Sequence, residues 1–363
     1  MKIITKAENL DNHKKYIFIL KLIDDFLQKK DYQKIDLPVL SPVLIPESYL
    51  EVFETEFKFL HKKEKLYLTP SPELFLKRLL AYRIGNCYYL GKSFRNSDLP
   101  SSLHSFEFTM LEFYKVNADY MNIADEVLEI LRYINKKVKS QKSKVKSQKS
   151  GLRHLSHQGF RSQEGYGGKA KVKNDLGLKI NLDKWEKISV AEAFEKYADI
   201  SEQELFNHQL FLQKAKKKGY QVKKFSYEDV WSQIYVSEIE PHLGKNGFPT
   251  LIYDYPKEFA ALAKLNSDGR TAQRFEFYIN GVELGDCYTE LSDWKEQKDR
   301  FIKEYLERKK NKKIYHPIDK GFIEALKYGL PDCAGIAIGV ERLAMVFLGF
   351  DSIDKLKVID IIL

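Results

Sequence analysis

Between Tyr88 and Tyr114 two apolar runs, YYLGKSF and FEFTMLEFY, alternate with polar residues at the two-residue period of a strand. The loop RNSDLPSSLHS separates them. This pattern predicts an antiparallel hairpin. Residues 10–30 repeat apolar positions at helical spacing and end on lysines, as a helix dipole favours. Residues 51–69 read as paired strands around HKKEK. TPSPELFLKRLLAYRI reads as a helix with Ser71 as N-cap, Pro72 in the first turn and Glu73 after it. A helix is expected over about 118–137, and helical periodicity returns from about 185. PTLIYDYP reads as a strand, and 272–292 as two strands across an Asn280-Gly281 turn. Helices follow at 294–311 and 318–329, and CAGIAIGVERLAMVFLGF is a strand running straight into a helix. The pattern implies an α+β fold, an antiparallel sheet flanked by helices.

Composition sharpens this picture in two places. The 363 residues are 44% hydrophobic, with 23 Phe and 22 Tyr, ample for a buried core. No apolar run reaches the length of a membrane span, and the first residues carry no signal-peptide core. Cys87, Cys287 and Cys333 lie far apart without metal-ligand spacing, which suggests free thiols in a cytoplasmic protein. The net charge is +9, but residues 136–173 hold ten Lys and two Arg against one acid, Glu164. The rest of the chain is slightly acidic. That Lys-, Ser- and Gly-rich segment, with its repeated KSQKS, has little to bury and is expected to be a disordered or mobile insertion. A basic arm for RNA or an acidic partner is the functional alternative.

The predicted hairpin places Arg95, His104, Phe108 and Glu112 together. An arginine and a histidine suit phosphates, a ring suits a base, and a carboxylate suits an amine. Glu283 and Glu290 form an acid pair that can hold Mg²⁺. Arg342, at the start of the last helix, can stack on an adenine from the side opposite Phe108. Neither GxGxxG after a strand nor GxxxxGK[ST] is present, so a nucleotide site needs another plan.

These stretches resemble a known family. SFRN…HSFEFTMLEFY is similar to motif 2 of the class II aminoacyl-tRNA synthetases, GIAIGVERLAMVFLG to motif 3, and YQKIDLPVLS to the dimer-forming motif 1. TPSPELFLKRLLA, GVEL…TELSD and HPIDKGFIEALKYGLPDCAGIAIGVERL most resemble the lysyl-tRNA synthetases and their short paralogues that attach (R)-β-lysine to elongation factor P. The resemblance implies one catalytic domain over 1–363, interrupted by the insertion at about 136–175. It also implies ATP and Mg²⁺ as cofactors, a homodimer, and no N-terminal anticodon-binding OB domain. PDCAGIAIG, with Ala337 where the tRNA enzymes carry glycine, favours the paralogue.

Position by position, the resemblance implies that Arg95 and Arg342 are catalytic. ATP is bound by Arg95, Asn96, Ser97, His104, Ser105, Phe108, Glu283, Leu284, Gly339 and Arg342, and the metal by Glu283 and Glu290. Ser71, Pro72, Glu73, Glu112, Tyr114, Glu290 and Ala337 would hold lysine or (R)-β-lysine. Ser97, Ser105, Asp286 and Cys287 depart from the family pattern. The acceptor implied is a lysine of elongation factor P. The alternatives are tRNA, as in a stand-alone lysyl-tRNA synthetase-like enzyme, and a non-catalytic binding protein.

Overall fold

The structure is a computed structural model that describes residues 1–96, 100–153 and 180–362, with the backbone alone for 141–153. The strands are β1 (Lys2–Thr5), β2 (Gln33–Lys34), β3 (Leu40–Ser41), β4 (Glu54–Phe59), β5 (Lys62–Leu68), β6 (Cys87–Phe94), β7 (Glu107–Val116), β8 (Glu186–Ser189), β9 (Thr250–Pro256), β10 (Thr271–Ile279), β11 (Val282–Thr289), β12 (Cys333–Gly339) and β13 (Ile359–Ile362). The α-helices are α1 (Leu10–Lys29), α2 (Glu73–Ala81), α3 (Tyr120–Arg153), α4 (Val190–Ala198), α5 (Glu202–Leu205), α6 (His208–Lys217), α7 (Tyr227–Ile234), α8 (Trp294–Lys310), α9 (Lys320–Gly329) and α10 (Val340–Leu348).

Eight strands form the main sheet in the order β2-β6-β7-β12-β11-β10-β9-β8. Pairing is antiparallel from β6 to β9, and only the edge strands β2 and β8 run parallel to their neighbours. The fold is α+β, as the alternation predicts. One face is buried continuously: α1, α3 and α10 lay Ile23, Ile130, Leu343 and Phe347 on Leu111, Phe113, Ile336, Ile338 and Phe277. The opposite face is covered only at its two ends. At one end α2, α8 and α9 pack Leu76, Leu80, Phe301 and Phe322 against Tyr89 and Tyr114. At the other, α4, α6 and α7 pack Phe194, Phe211 and Trp231 against Ile252, Tyr255 and Tyr278. The middle of that face is left to polar side chains.

Local signals account for most element ends. Ser189, Ser201 and Ser226 cap α4, α5 and α7, each reciprocated by an acid three residues on. Asn280 and Gly281 turn β10 into β11 with φ of 55° and 76°.

Three details differ from expectation. Helix α2 begins at Glu73, one residue late, with Pro72 at its cap position; Ser71 Oγ still accepts from Glu73 N at 3.1 Å. The four-residue strand β8 lies where only helical periodicity was read, since EKIS is too short to show its own period. Helix α3 continues to Arg153, through the KSQKS repeat expected to be disordered. Lys, Gln and Val extend a helix that is already nucleated, and no Gly or Pro interrupts them before Gly151. The remainder of the insertion, 154–175, lies outside the described residues. No helix among the described residues is long and apolar enough to cross a membrane.

Candidate active site

Strand alternation sends Phe108, Glu112 and Tyr114 of β7 to the half-open face. Their cross-strand register sets Ala337 of β12 beside Glu112 and Gly335 beside Tyr114. Glu112 is 3% exposed and is held from two sides. Ser71 Oγ donates to its Oε2 at 2.7 Å, and Tyr114 OH donates to its Oε1 at 2.7 Å. Burial, then the nearby Glu73, pushes its carboxyl up to about 8.

Next to it lies a lysine the sequence reading passed over. Lys77, 1% exposed, pairs with Glu73 one turn back on α2 and with Glu290 Oε2 just beyond β11. The signal was available: Leu74, Lys77, Leu80 and Ala81 occupy the apolar stripe of α2, where a lysine needs a buried partner. Burial pushes the Glu290 carboxyl up to about 8, with Lys77 opposing and Glu73 adding to the rise. The floor beneath these side chains is Gly335. A Cβ there would collide with the Tyr114 ring and stand 2.9 Å from Glu290 Oε1.

A second polar cluster occupies β10 and β11. Arg274 donates from Nε and Nη2 to both oxygens of Asp286 at 2.9 and 3.0 Å, and from Nη2 to Glu276 Oε1 at 2.9 Å. Tyr278 OH donates to Glu276 Oε2 at 2.8 Å, and Tyr288 OH to Asp286 Oδ2 at 2.9 Å. Burial lifts both carboxyls, that of Glu276 to about 7, against the pull of Arg274. The residues 274, 276 and 278 alternate with Phe275 and Phe277, which is the pattern that could have flagged this polar face.

The register also decides which acids meet. Tyr278 pairs with Glu283 and Phe277 with Gly285, so a bulge at Leu284 returns Glu283 to the half-open face. Glu283 is then a diagonal cross-strand neighbour of Glu276, about 7–8 Å away by strand geometry. Glu290 is seven residues further along the same strand direction, roughly 20 Å at a strand's rise. The expected metal pair Glu283 and Glu290 is therefore not brought together. Leu284 itself is buried in the core on the far face.

The remaining expected residues gather at the β6–β7 loop. The Arg95 guanidinium lies over the Phe108 ring at 5.3 Å. Asn96, next to it, is exposed. His104 is exposed, with Nδ1 3.1 Å from Ser101 Oγ, and Ser105 is half-buried. Ser97 lies outside the described residues. Arg342 is held by Glu283, donating from Nη1 to its Oε2 and backbone O at 3.1 Å each, and by the Leu103 carbonyl at 3.0 Å. Gly339 needs no glycine for its backbone, with φ of −76°. A Cβ there would meet only Arg342, at 3.9 Å, so that space lies open beside the sheet.

An antiparallel sheet with an arginine-bearing strand–loop–strand hairpin and a glycine-ended strand leading into a helix defines the class. The chain belongs to the tRNA synthetases class II (D, K and N), whose family profile matches residues 3–359. It is 31% identical to the elongation factor P (R)-β-lysine ligase of Yersinia enterocolitica, over 92% of this chain and 90% of that one. Identity to the protein of the same name from Vibrio cholerae is 33%, over 93% and 91%. The lysine-tRNA ligase of Carboxydothermus hydrogenoformans is 30% identical over 95% of this chain but only 63% of its own length.

Proposed function

We propose that this protein is an ATP- and Mg²⁺-dependent ligase. It activates lysine or (R)-β-lysine as an aminoacyl-adenylate and transfers the acyl group to a lysine of elongation factor P. The observation that carries the reading is the acid-lined pocket. Glu112, Glu73 and Glu290 gather around a single buried lysine, more acids than it can pair, and a substrate with two ammonium groups would favour their ionised forms. Glu112, oriented by Ser71 and Tyr114, takes the distal ammonium, while Glu73 takes the amine near the carboxylate. Ala337 forms the wall beside Glu112, and Pro72 starts the helix that presents Glu73.

Arg95 binds the α-phosphate, where negative charge grows as the substrate carboxylate attacks phosphorus and pyrophosphate leaves. Phe108 and Arg342 hold the adenine between them. Asn96, His104 and Ser105 line the phosphate side, and Gly339 with the backbone of Leu284 supports the nucleotide from the sheet. The acceptor amine then attacks the acyl carbon, AMP leaves, and a proton is released. No protein nucleophile is needed, so catalysis is positioning and charge.

Mg²⁺ fits Glu276 and Glu283 better than Glu283 and Glu290. The first two are cross-strand neighbours on one face, and burial pushes the Glu276 carboxyl up to about 7 against the pull of Arg274. Two carboxylates plus phosphate oxygens are an ordinary Mg²⁺ donor set. When bound, the ion neutralises phosphate charge.

A tRNA acceptor is the second reading, favoured by the similarity to a lysine-tRNA ligase. The deciding experiment incubates the protein with ATP and labelled (R)-β-lysine, offering elongation factor P or tRNA. Label is expected on elongation factor P; label only on tRNA would establish the second reading, and label on neither would overturn both.

A further inference from the structure

Strand β7 pairs with β12 from Val116 up to Met110 and with β6 down to Glu107, so at Thr109 the β12 ladder has just ended. The second residue of α10 takes over there. Both carboxylate oxygens of Glu341 accept the Thr109 backbone N–H at 2.9 Å. A third element closes the cluster: the Tyr16 hydroxyl of α1 lies 3.1 Å from Glu341 Oε1 and 2.8 Å from Thr109 Oγ1. Tyr16, Thr109 and Glu341 are all buried, on the sealed side of the sheet.

The surroundings are apolar. The other buried residues of α1 are Ile19, Leu22, Ile23, Phe26 and Leu27, and those of α10 besides Glu341 are apolar too. An acid in such a place costs stability unless its oxygens are bonded. Burial, then the Glu341 charge, raises the Tyr16 hydroxyl, which therefore stays protonated and able to donate. The sequence neighbours of the cluster turn to the half-open face. Phe108 precedes Thr109, with Arg95 over its ring; Arg342 follows Glu341 and is held by Glu283 and the Leu103 carbonyl. One carboxylate thus ties together the two stretches of backbone that carry the proposed adenine pair.

We propose that Glu341, steadied by Tyr16, is a positioning residue for the nucleotide. It pins the start of α10 to β7 and so sets the gap between Phe108 and Arg342 in which the adenine lies. The inference rests on the proposed function, which puts ATP there. The adenine takes no part in bond making, so a change in that gap alters binding and leaves the chemical step nearly alone.

The test is isothermal titration of wild type, Glu341→Ala, Glu341→Gln and Tyr16→Phe with ATP, and separately with α-lysine and (R)-β-lysine. Glu341→Ala is expected to weaken ATP about tenfold, the loss of a charged hydrogen bond, while affinity for the lysines stays within about twofold. Glu341→Gln keeps an acceptor for Thr109 N and should recover most of that loss, to within about threefold of wild type. In pyrophosphate exchange Glu341→Ala should raise the KM for ATP about tenfold, with kcat within about threefold. Unchanged ATP affinity in Glu341→Ala would overturn the proposal. So would ATP and lysine weakened by the same factor, which marks a general loss of packing. Should Glu341→Ala not fold, Tyr16→Phe decides: ATP weakened about threefold with lysine spared supports the proposal, and ATP bound as in wild type overturns it. Wild type that binds ATP but neither lysine would reject the proposed function and leave the ATP comparison to judge Glu341; wild type that binds no ATP would reject both.

Discussion

At the scale of single residues, the pocket is an arrangement of charges that burial makes expensive to leave unpaired. Buried Lys77 pairs with both Glu73 and Glu290. Replacing it by Met strands two carboxylates, and Lys77→Met is expected to lower the unfolding free energy by about 3–5 kcal/mol. Urea denaturation measures this; wild-type stability in the variant would mean that the pairs contribute nothing. Glu112 and Glu290 lead to a prediction about protons. Their folded carboxyls sit near 8, against 4.5 in the unfolded chain, so the folded protein binds more protons between those values. Stability of the substrate-free protein therefore falls as pH rises from about 5 to 8. An ammonium in the pocket favours the ionised acids, so lysine binding near pH 7 should release protons. Titration calorimetry in two buffers of different ionisation enthalpy checks this, and identical apparent enthalpies would contradict it. The grouping of Ser71, Glu112 and Tyr114 was legible in the sequence because their motifs are long and specific. Lys77 was not read, because a lysine in a helix is ordinarily solvated and only its place on the apolar stripe marks it.

At the scale of elements, register decides which side chains meet. Gly335 on β12 is the clearest case, since Tyr114 and Glu290 occupy the space above it. Gly335→Ala is expected to cost about 1–3 kcal/mol of stability through overpacking. It should also abolish lysine binding while ATP binding persists, because the residues proposed for the nucleotide lie elsewhere on the sheet; parallel titrations with the two ligands test this. Retained lysine affinity would show that the β12 floor is not part of the pocket. The hairpins and the last strand–helix step were readable from alternation and the Asn280-Gly281 turn. The bulge at Leu284 was not, because one extra residue in a strand changes no composition. That single irregularity returns Glu283 to the half-open face as a diagonal neighbour of Glu276, while Glu290 lies seven residues further along the strand. Helix α3 was misjudged for a different reason, since low apolar content argues against a core but not against extension of an existing helix.

At the scale of the whole molecule, the sheet is sealed on one face and capped only at the ends of the other. That leaves one continuous polar surface from the acid pocket, past Asp286 and Arg274, to Arg95 and Arg342. An amino acid and a nucleotide can therefore lie along the same strands with carboxylate and phosphate facing each other. The central claim is that this surface joins them. It is tested most directly by amino-acid-dependent exchange of labelled pyrophosphate into ATP, comparing (R)-β-lysine, α-lysine and no amino acid. Arg95→Ala serves as control. The account predicts exchange that requires one of the lysines and falls at least about a hundredfold in the control, the loss of one charge-stabilising contact. Exchange with neither lysine, or exchange untouched by Arg95→Ala, would contradict it.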